Sequence, residues 1–527
     1  MGRGSRLAPL SYVLFGLLGS LLVVGCGSRS RLAAAVHFCD EDADCDRANL
    51  CAAQVCEMGQ CVAAEPVVCV PSSECVTSEC NSETGVCDET WLTTDEDQDG
   101  FFAPLPGSGV AGSGKCGDDC DDTSALAHPG GVEICDGVDN DCDGTLDNGN
   151  SLLPGPGDTL APIRVPSAEA NRSGSRSIAY GAGYFAMTYW AYLSSLDKVR
   201  PFWRGLASDG LEVIPESRVN QINSPAWGAS LAWSGAAFGA AWSDGRSAQN
   251  YEIYFTLFDP TGEKRIADLQ LSKADNMSLD PDVLYDQGRF LVFWPDRRNG
   301  HSQIFLQILS ASGKLLGGNV ELTPSGDVDA EFPSSAAASE TYGLIYSVED
   351  DSGASLEFRT FEKQYLTEVA PVVTVVQSAT SKPSSPRVVA LRDKYLVTWH
   401  NKTDGFPEPA IWGAVLDEQG NVLVAPTAIT PFSGHARGNS TVSYGDRALL
   451  AWSDDMSGEY EVYAEVIDEN LRVTEEPVQL TDTEGASIDP KFARGEDGKI
   501  GMLFDDFREG PQLSYFLSFG CSAGTLQ

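Results

Sequence analysis

From about residue 170 onward the chain is built of short apolar or alternating runs separated by glycine-marked turns, with almost no helical period. YEIYFTLF (251–258), QIFLQIL (303–309), AIWGAVL (410–416) and YEVYAEVI (460–467) each read as a strand. Turns follow at DPTG (259–262), SASG (310–313) and DEQG (417–420), and ASDG (207–210) is a further one, glycine supplying the positive φ that a tight turn requires. A last extended piece, DLQLS, NVELT or PVQLT, ends at Ser272, Thr323 or Thr481.

These pieces belong to one recurring unit, seen most clearly at Ala241–Gly262. Its aromatic marker returns at Trp190, Trp242, Trp294, Tyr346, Trp399, Trp452 and Phe504, in steps of 52 or 53 residues. In four copies a proline stands 13 or 14 residues before the marker, at Pro281, Pro333, Pro386 and Pro490. Each copy holds about four strands. A lone four-stranded sheet leaves both faces wet, whereas sheets stacked radially bury each other's faces, and a period of about 40 to 50 residues fits that arrangement. The expected fold is mainly β, a seven-bladed β-propeller over residues 159–527, preceded by small disulfide-rich and acidic modules. The last copy stops at Phe519, after its third strand, while PIRVP (162–166) resembles PVQLT (477–481). Residues Ile163–Val165 are therefore expected to complete the final blade and close the ring, removing an open sheet edge.

Charge narrows the partners. A net charge of −41 repels a phosphate backbone, which argues against nucleic acid and favours divalent cations. At the other end of the chain, Arg3 and Arg6 precede an apolar run from Leu10 to Val24, the order of a secretory signal over residues 1–25. The run ends VVGC and resembles the bacterial lipoprotein signal, which implies lipid attachment at Cys26, a tether over 26–37 and, with Gly27 following, an outer-membrane location, periplasmic or surface-exposed. An uncleaved membrane anchor is the alternative, though the run is short for a spanning helix.

Export makes paired thiols the expected state of the cysteines. Of the fifteen, nine fall between residues 38 and 90: Cys39, Cys45, Cys51, Cys56, Cys61, Cys69, Cys75, Cys80 and Cys87. The spacings 6, 5, 5 from Cys45 and 6, 5, 7 from Cys69 echo each other, so the segment reads as a duplicated disulfide module resembling the short cysteine-rich repeats of secreted bacterial proteins. Cys116, Cys120, Cys135, Cys142 and Cys521 are further candidates, and the odd count leaves connectivity open. Zinc is disfavoured, because no C-x-x-C pair occurs and His37 is the only nearby histidine.

Residues 91–150 carry the strongest chemical signal. Asp95, Asp97, Asp99 and Gly100 form D-x-D-x-D-G, and Asp139, Asp141, Asp143 and Gly144 repeat it. Carboxylates at alternate positions of a tight loop deliver the several oxygens calcium needs. Neither loop is an EF-hand, since the twelfth positions are Pro106 and Asn150. Expected ligands are Asp95, Asp97 and Asp99 with the Phe101 carbonyl, closed by Asp121 and Asp122, and Asp139, Asp141 and Asp143 with the Thr145 carbonyl, closed by Asp147. The segment resembles the MopE-type metal-binding motif family through Asp97, Asp99, Gly100, Cys120–Asp122, Pro129, Gly130 and Glu133–Gly144. That family name is linked to copper, but only His128 and no methionine lies here, so Ca2+ is the expected ion and copper the alternative. The stretch 151–158, rich in glycine and proline, reads as a linker.

The propeller shows no G-x-S-x-G motif, and its histidines, His301, His400 and His435, are scattered. Asp244, Asp296 and Asp454, in WSD and WPD turns, are expected to cap turns and pair with neighbours such as Arg246 and Arg297, and the marker tryptophans to be core. Three functions fit: a lipid-anchored envelope protein that binds divalent metal and presents the propeller to a protein or glycan; a glycan-active hydrolase or lyase, which requires acids and arginines converging in one funnel; and a copper-sequestering surface protein.

Overall fold

The computed structural model describes residues 39–523 apart from 46–47, 73–75, 94, 104–116, 118, 134–137, 144–149, 156–159, 168–169, 194–197, 247–249, 324–327, 351–352, 403–409, 431–433, 496–497 and 521. Two compact units result, Met1–Leu92 and Thr93–Gln527. Among the described residues there is no α-helix, and none is long and apolar enough to cross a membrane.

In the first unit two hairpins, Gln54–Glu57 with Gln60–Ala63 and Val76–Cys80 with Cys87–Trp91, are held by four disulfides. These are Cys39–Cys56, Cys45–Cys61, Cys51–Cys80 and Cys69–Cys87. Cys45–Cys61 and Cys69–Cys87 join first to fourth cysteine in each half of the echo. Cys51–Cys80 ties the halves together, so they are one unit rather than two beads. Buried side chains among the described residues here are only Cys39, Cys45 and Val76, so crosslinks supply what a core cannot. Cys26, Cys75, Cys116, Cys135 and Cys521 lie outside the described residues.

Among the described residues the second unit contains seven four-stranded antiparallel sheets, six of them with their strands in sequential order. The first strands begin at Ala170, Ser230, Asp282, Asp329, Lys382, Arg437 and Ser487. Each first strand packs on that of the next blade, and the seventh packs on the first, which makes a closed ring. All seven markers lie on second strands. Six are fully or almost fully buried, whereas Trp190 keeps partial exposure and sits edge-on to Trp227. Core clusters fill the spaces between successive blades, as with Trp203, Phe238 and Trp242 between the first two and Leu503, Phe516 and Phe185 between the last and the first. This is where the stability resides, at about 1.5–3 kcal/mol for each large side chain withdrawn from water.

Closure follows the expectation. Blade seven takes its fourth strand from Ile163–Arg164, paired with Phe516 and Tyr515, and the buried Val165 donates its N–H to Ser514 O at 3.0 Å. A second seam joins Asn150–Ser151 to Ser522–Ala523. Leu152 and Leu153, which composition places in a linker, are packed among side chains of blades six and seven.

Three small devices repeat around the ring. Gly210, Gly262, Gly313 and Gly420 close the turns named above with φ near +80° to +90°. At the end of the outer strand a hydroxyl accepts a third-strand N–H, from Ile253 to Ser272, Ile304 to Thr323, Ile411 to Thr430 and Val462 to Thr481, at 2.8–3.0 Å. Asp280, just ahead of its first strand, and Phe332, Ser385 and Asp489, within theirs, adopt φ of +44°, +55°, +49° and +54°, and each is followed by one of the recurring prolines. In the last three of these blades the strand register shifts at that point, so these are bulges, which bend the strand locally.

The aspartates after the markers are structural. Trp242 and Trp294 donate their Nε1–H to Asp244 and Asp296 at 3.0 Å, and Arg246 and Arg298 bind the same carboxylates at 2.7 and 2.6 Å. The partner of Asp296 is thus Arg298, not Arg297. Alternation along the strand puts Arg297 on the other face, where it pairs with Glu331 of the next blade at 2.6 Å. Burial works against ionisation of Asp244 and Asp296, but the bonds from arginine, tryptophan and their neighbours outweigh it and hold both below the usual carboxylate range. Blade six has Met456 in the arginine place, and there burial wins and raises Asp454.

Two outcomes follow. Val165→Asp puts a lone charge into the closing seam and should cost at least about 3–5 kcal/mol, read as a lowered Tm with onset of aggregation through the uncovered edge; an unchanged Tm would mean the seam is dispensable. Arg298→Met should cost about 3–5 kcal/mol near pH 7. Because the native pKa of Asp296 is lowered, its pairing stabilises above the unfolded value of about 4 and fades as pH falls through the native one, so the Tm gap between wild type and variant should shrink below about pH 4.

Candidate metal centre

Both acidic loops fold as runs of Asx-type bonds. In the first, Asp95 accepts the N–H groups of Gln98 (2.7 Å) and Gly100 (3.3 Å), Asp97 that of Asp99 (3.2 Å), and Asp99 that of Phe101 (2.8 Å). Gly100, at φ +99°, makes the reversal. One oxygen from each of Asp95, Asp97 and Asp99 lies within 4.8 Å of the others.

Gly117 and residues 119–122 pack against this loop. Gly117 allows the approach, since a Cβ there would stand 1.9 Å from the Ala103 carbonyl oxygen. Asp122 accepts the Glu96 N–H at 3.1 Å. Asp121 instead turns its Oδ1 to the backbone and hydroxyl of Thr123, at 3.2 and 2.6 Å. Between them stands a residue the sequence reading did not select. Asp119 is fully buried, and its carboxyl is pushed up to about 6, first by burial and then by the charges of Asp99, Asp97 and Asp122, against the Asp121 N–H that it accepts at 2.8 Å.

The oxygens divide by role. Asp97, Asp99 and Asp119 each use Oδ1 to accept a backbone N–H, while each Oδ2 is buried with no hydrogen-bond partner. Buried carboxylate oxygens are normally satisfied. Carboxylates at this spacing, with these oxygens left over, fit a cation.

The second loop is arranged in the same way. Oxygens of Glu133, Asp139 and Asp141 lie within 4.8 Å of one another. Glu133 accepts the Asp141 N–H at 2.8 Å, and Asp139 and Asp141 accept that of Asp143 at 3.0 and 3.1 Å. Burial, and then the charges of Asp141 and Asp139, raise the Glu133 carboxyl despite that bond. Thr145 and Asp147 lie outside the described residues. Glu133 is thus a further carboxylate of this cluster that the sequence reading did not select. The Cys120–Cys142 disulfide joins the segments carrying Asp119 and Asp141, and Gly131 and His128 pack on Asn140 across the same join.

Softer donors are committed elsewhere. His128 stacks on Phe101 with ring centroids 4.8 Å apart, and Cys120 and Cys142 are bonded to each other. The groups around Cys39, Cys45 and Cys61 are likewise disulfides, not a thiolate site.

Comparison with known proteins agrees with this geometry. Residues 119–148 match the family model described as "Putative metal-binding motif" (Cu-binding MopE). No curated protein matches the sequence. Among solved structures, a protein of unknown function from Dyadobacter fermentans aligns at 10% identity and TM-score 0.44, covering 68% of this chain and 98% of its own. An alpha-L-arabinanase of Penicillium chrysogenum aligns at 14% identity and TM-score 0.43, covering 59% and 98%. An alpha-L-arabinofuranosidase of Fusarium graminearum does so at 14% identity and TM-score 0.41, again covering 59% and 98%. The chain thus carries a MopE-type metal-binding motif ahead of a seven-bladed β-propeller.

Proposed function

We propose that the chain is a lipid-anchored cell-envelope protein whose acidic module binds calcium at two carboxylate clusters and whose propeller is the binding surface for a protein or glycan. What supports the calcium reading most is the triple of buried, unpartnered Oδ2 atoms on Asp97, Asp99 and Asp119. With Asp95 and Asp122 beside them they make an all-oxygen donor set, which suits a hard cation that takes about six to eight oxygens. Asp139, Asp141 and Glu133 form the second set. Copper would draw on imidazole, thiolate or thioether donors, and near the clusters these are stacked or oxidised. A bound divalent ion would relieve the repulsion among these carboxylates and fix the module ahead of the ring. The signal-like run before Cys26 supports the anchor.

In thermal melts, calcium at about 100 times its Kd should stabilise the module by about 2.7 kcal/mol, with copper producing no comparable shift. Asp119→Ala should weaken calcium binding at least tenfold by calorimetry, and Asp121→Ala much less. A calcium-insensitive melt would refute the site, and equal losses in the two variants would remove Asp119 from it. Separately, Cys26→Ala should abolish fatty-acid labelling in cells and release the protein in soluble form; retained labelling would sink the anchor.

A further inference from the structure

The first strands of all seven blades line one polar channel on the propeller axis, with a volume of about 440 Å3. Its lining is not uniform. On one arc Arg176 and Asp280 neutralise each other at 3.0 Å, and Asp282 accepts the Ser335 N–H at 2.9 Å. The arc of blades five to seven differs. There Arg387 and Lys491 each directly follow the recurring proline of their blade, at its bulge. Neither has a carboxylate within ion-pair distance among the described residues. Arg387 donates to the Pro386 carbonyl at 3.2 Å, and Lys491 to the carbonyls of Asp489 and Pro490 at 3.2 and 3.1 Å.

Two such cations inside a chain of net charge −41 are unusual in kind, and they disfavour each other. Burial lowers both; Lys491 falls to about 8, with Arg387 adding to the effect and Asp489 opposing it. Between them, on blade six, Asn439 is almost completely buried and its Oδ1 has no hydrogen-bond partner. This side chain lines the same channel. Asp282, Asp489 and Asp280 act on Arg387, and Asp489 and Asp505 on Lys491, only from beyond contact distance. Cations with no carboxylate in contact, beside an unsatisfied amide oxygen, are the complement of a ligand that brings an anion and a hydroxyl together.

We infer that the channel binds a sugar acid, its carboxylate held by Arg387 and Lys491 and a ring hydroxyl by Asn439. Asp280 and Asp489, also in the lining, offer acceptors for the further ring hydroxyls that a bare phosphate or sulfate lacks. Phe332, held at φ +55° and half exposed at the channel wall, offers an apolar face to a pyranose ring. The volume admits one or two sugar residues. The inference gives the ligand class for the propeller's role as a binding surface, and it is independent of the cation sites.

The full-length mature protein should be titrated calorimetrically with galacturonate, digalacturonate, glucuronate and N-acetylneuraminate, with galactose and inorganic phosphate alongside. At least one sugar acid should bind at least tenfold more tightly than galactose or phosphate. Tighter binding of digalacturonate than of galacturonate identifies the source as a polysaccharide end, and the reverse a free acid. Arg387→Gln and Lys491→Met should each reduce that affinity at least tenfold. Lys491→Met should also melt no lower than wild type, because it removes a desolvated charge, which separates lost binding from lost folding. Prior chelation should leave sugar-acid binding unchanged, so a failed calcium reading and a failed channel reading are told apart. Absence of binding by all four acids, equal binding of galactose, or full affinity in both variants overturns the inference.

Discussion

A four-stranded sheet with two apolar faces is stable only when both faces are covered, and in this protein each blade is covered by its neighbours on both sides. That requirement governs the rest of the chain. It sets the number of copies, since the arc must return to its start, and it forces the N-terminal strand Ile163–Arg164 into the last blade, where an exposed third strand would otherwise remain. It also explains the buried Leu152 and Leu153, which extend the covered surface beyond the closing strand. The ring can carry a polar axis because its apolar mass lies between blades, not at the centre.

Against that background the aspartate of each W-x-D turn is a fastener. In blades two and three its carboxylate gathers an indole N–H and a guanidinium at the end of the second strand, and in blade seven, where the marker is Phe504, Asp506 gathers the guanidinium of Arg508 and the hydroxyl of Ser487. Where the arginine is missing, at Met456, the carboxyl is pushed toward its neutral form. The acidic module solves the opposite problem. Its carboxylates have backbone N–H groups and one another for company, and the Oδ2 atoms of Asp97, Asp99 and Asp119 are buried without a hydrogen-bond partner.

Much of this was legible in the sequence because repetition samples the same physics several times. Seven aromatic markers, four prolines and a matching pair of outer-strand sequences were enough for blade count and closure. The two D-x-D-x-D-G loops were visible because their carboxylates are neighbours in sequence. Asp119 was not, since what singles it out is burial against a loop some twenty residues earlier, and neighbouring aspartates look identical in one dimension. Arg298 could have been preferred to Arg297 by strict alternation along the strand. The channel cations carried a signal too, because Arg387 and Lys491 hold the same register after the recurring proline, but their lack of a carboxylate in ion-pair contact is a property of the closed ring.

The seam also bears on how the molecule is made. Arg164 meets Glu509, 345 residues further on, so the first blade strand to leave the ribosome waits for nearly the last. Neighbouring blades can associate as they emerge, but the contact that shuts the circle is among the most distant in the chain, and its loop-closure entropy falls at the end of folding. Until then the final sheet has an open flank, and a second copy's closing strand would fit it equally well. Folding at low local concentration favours the intramolecular partner.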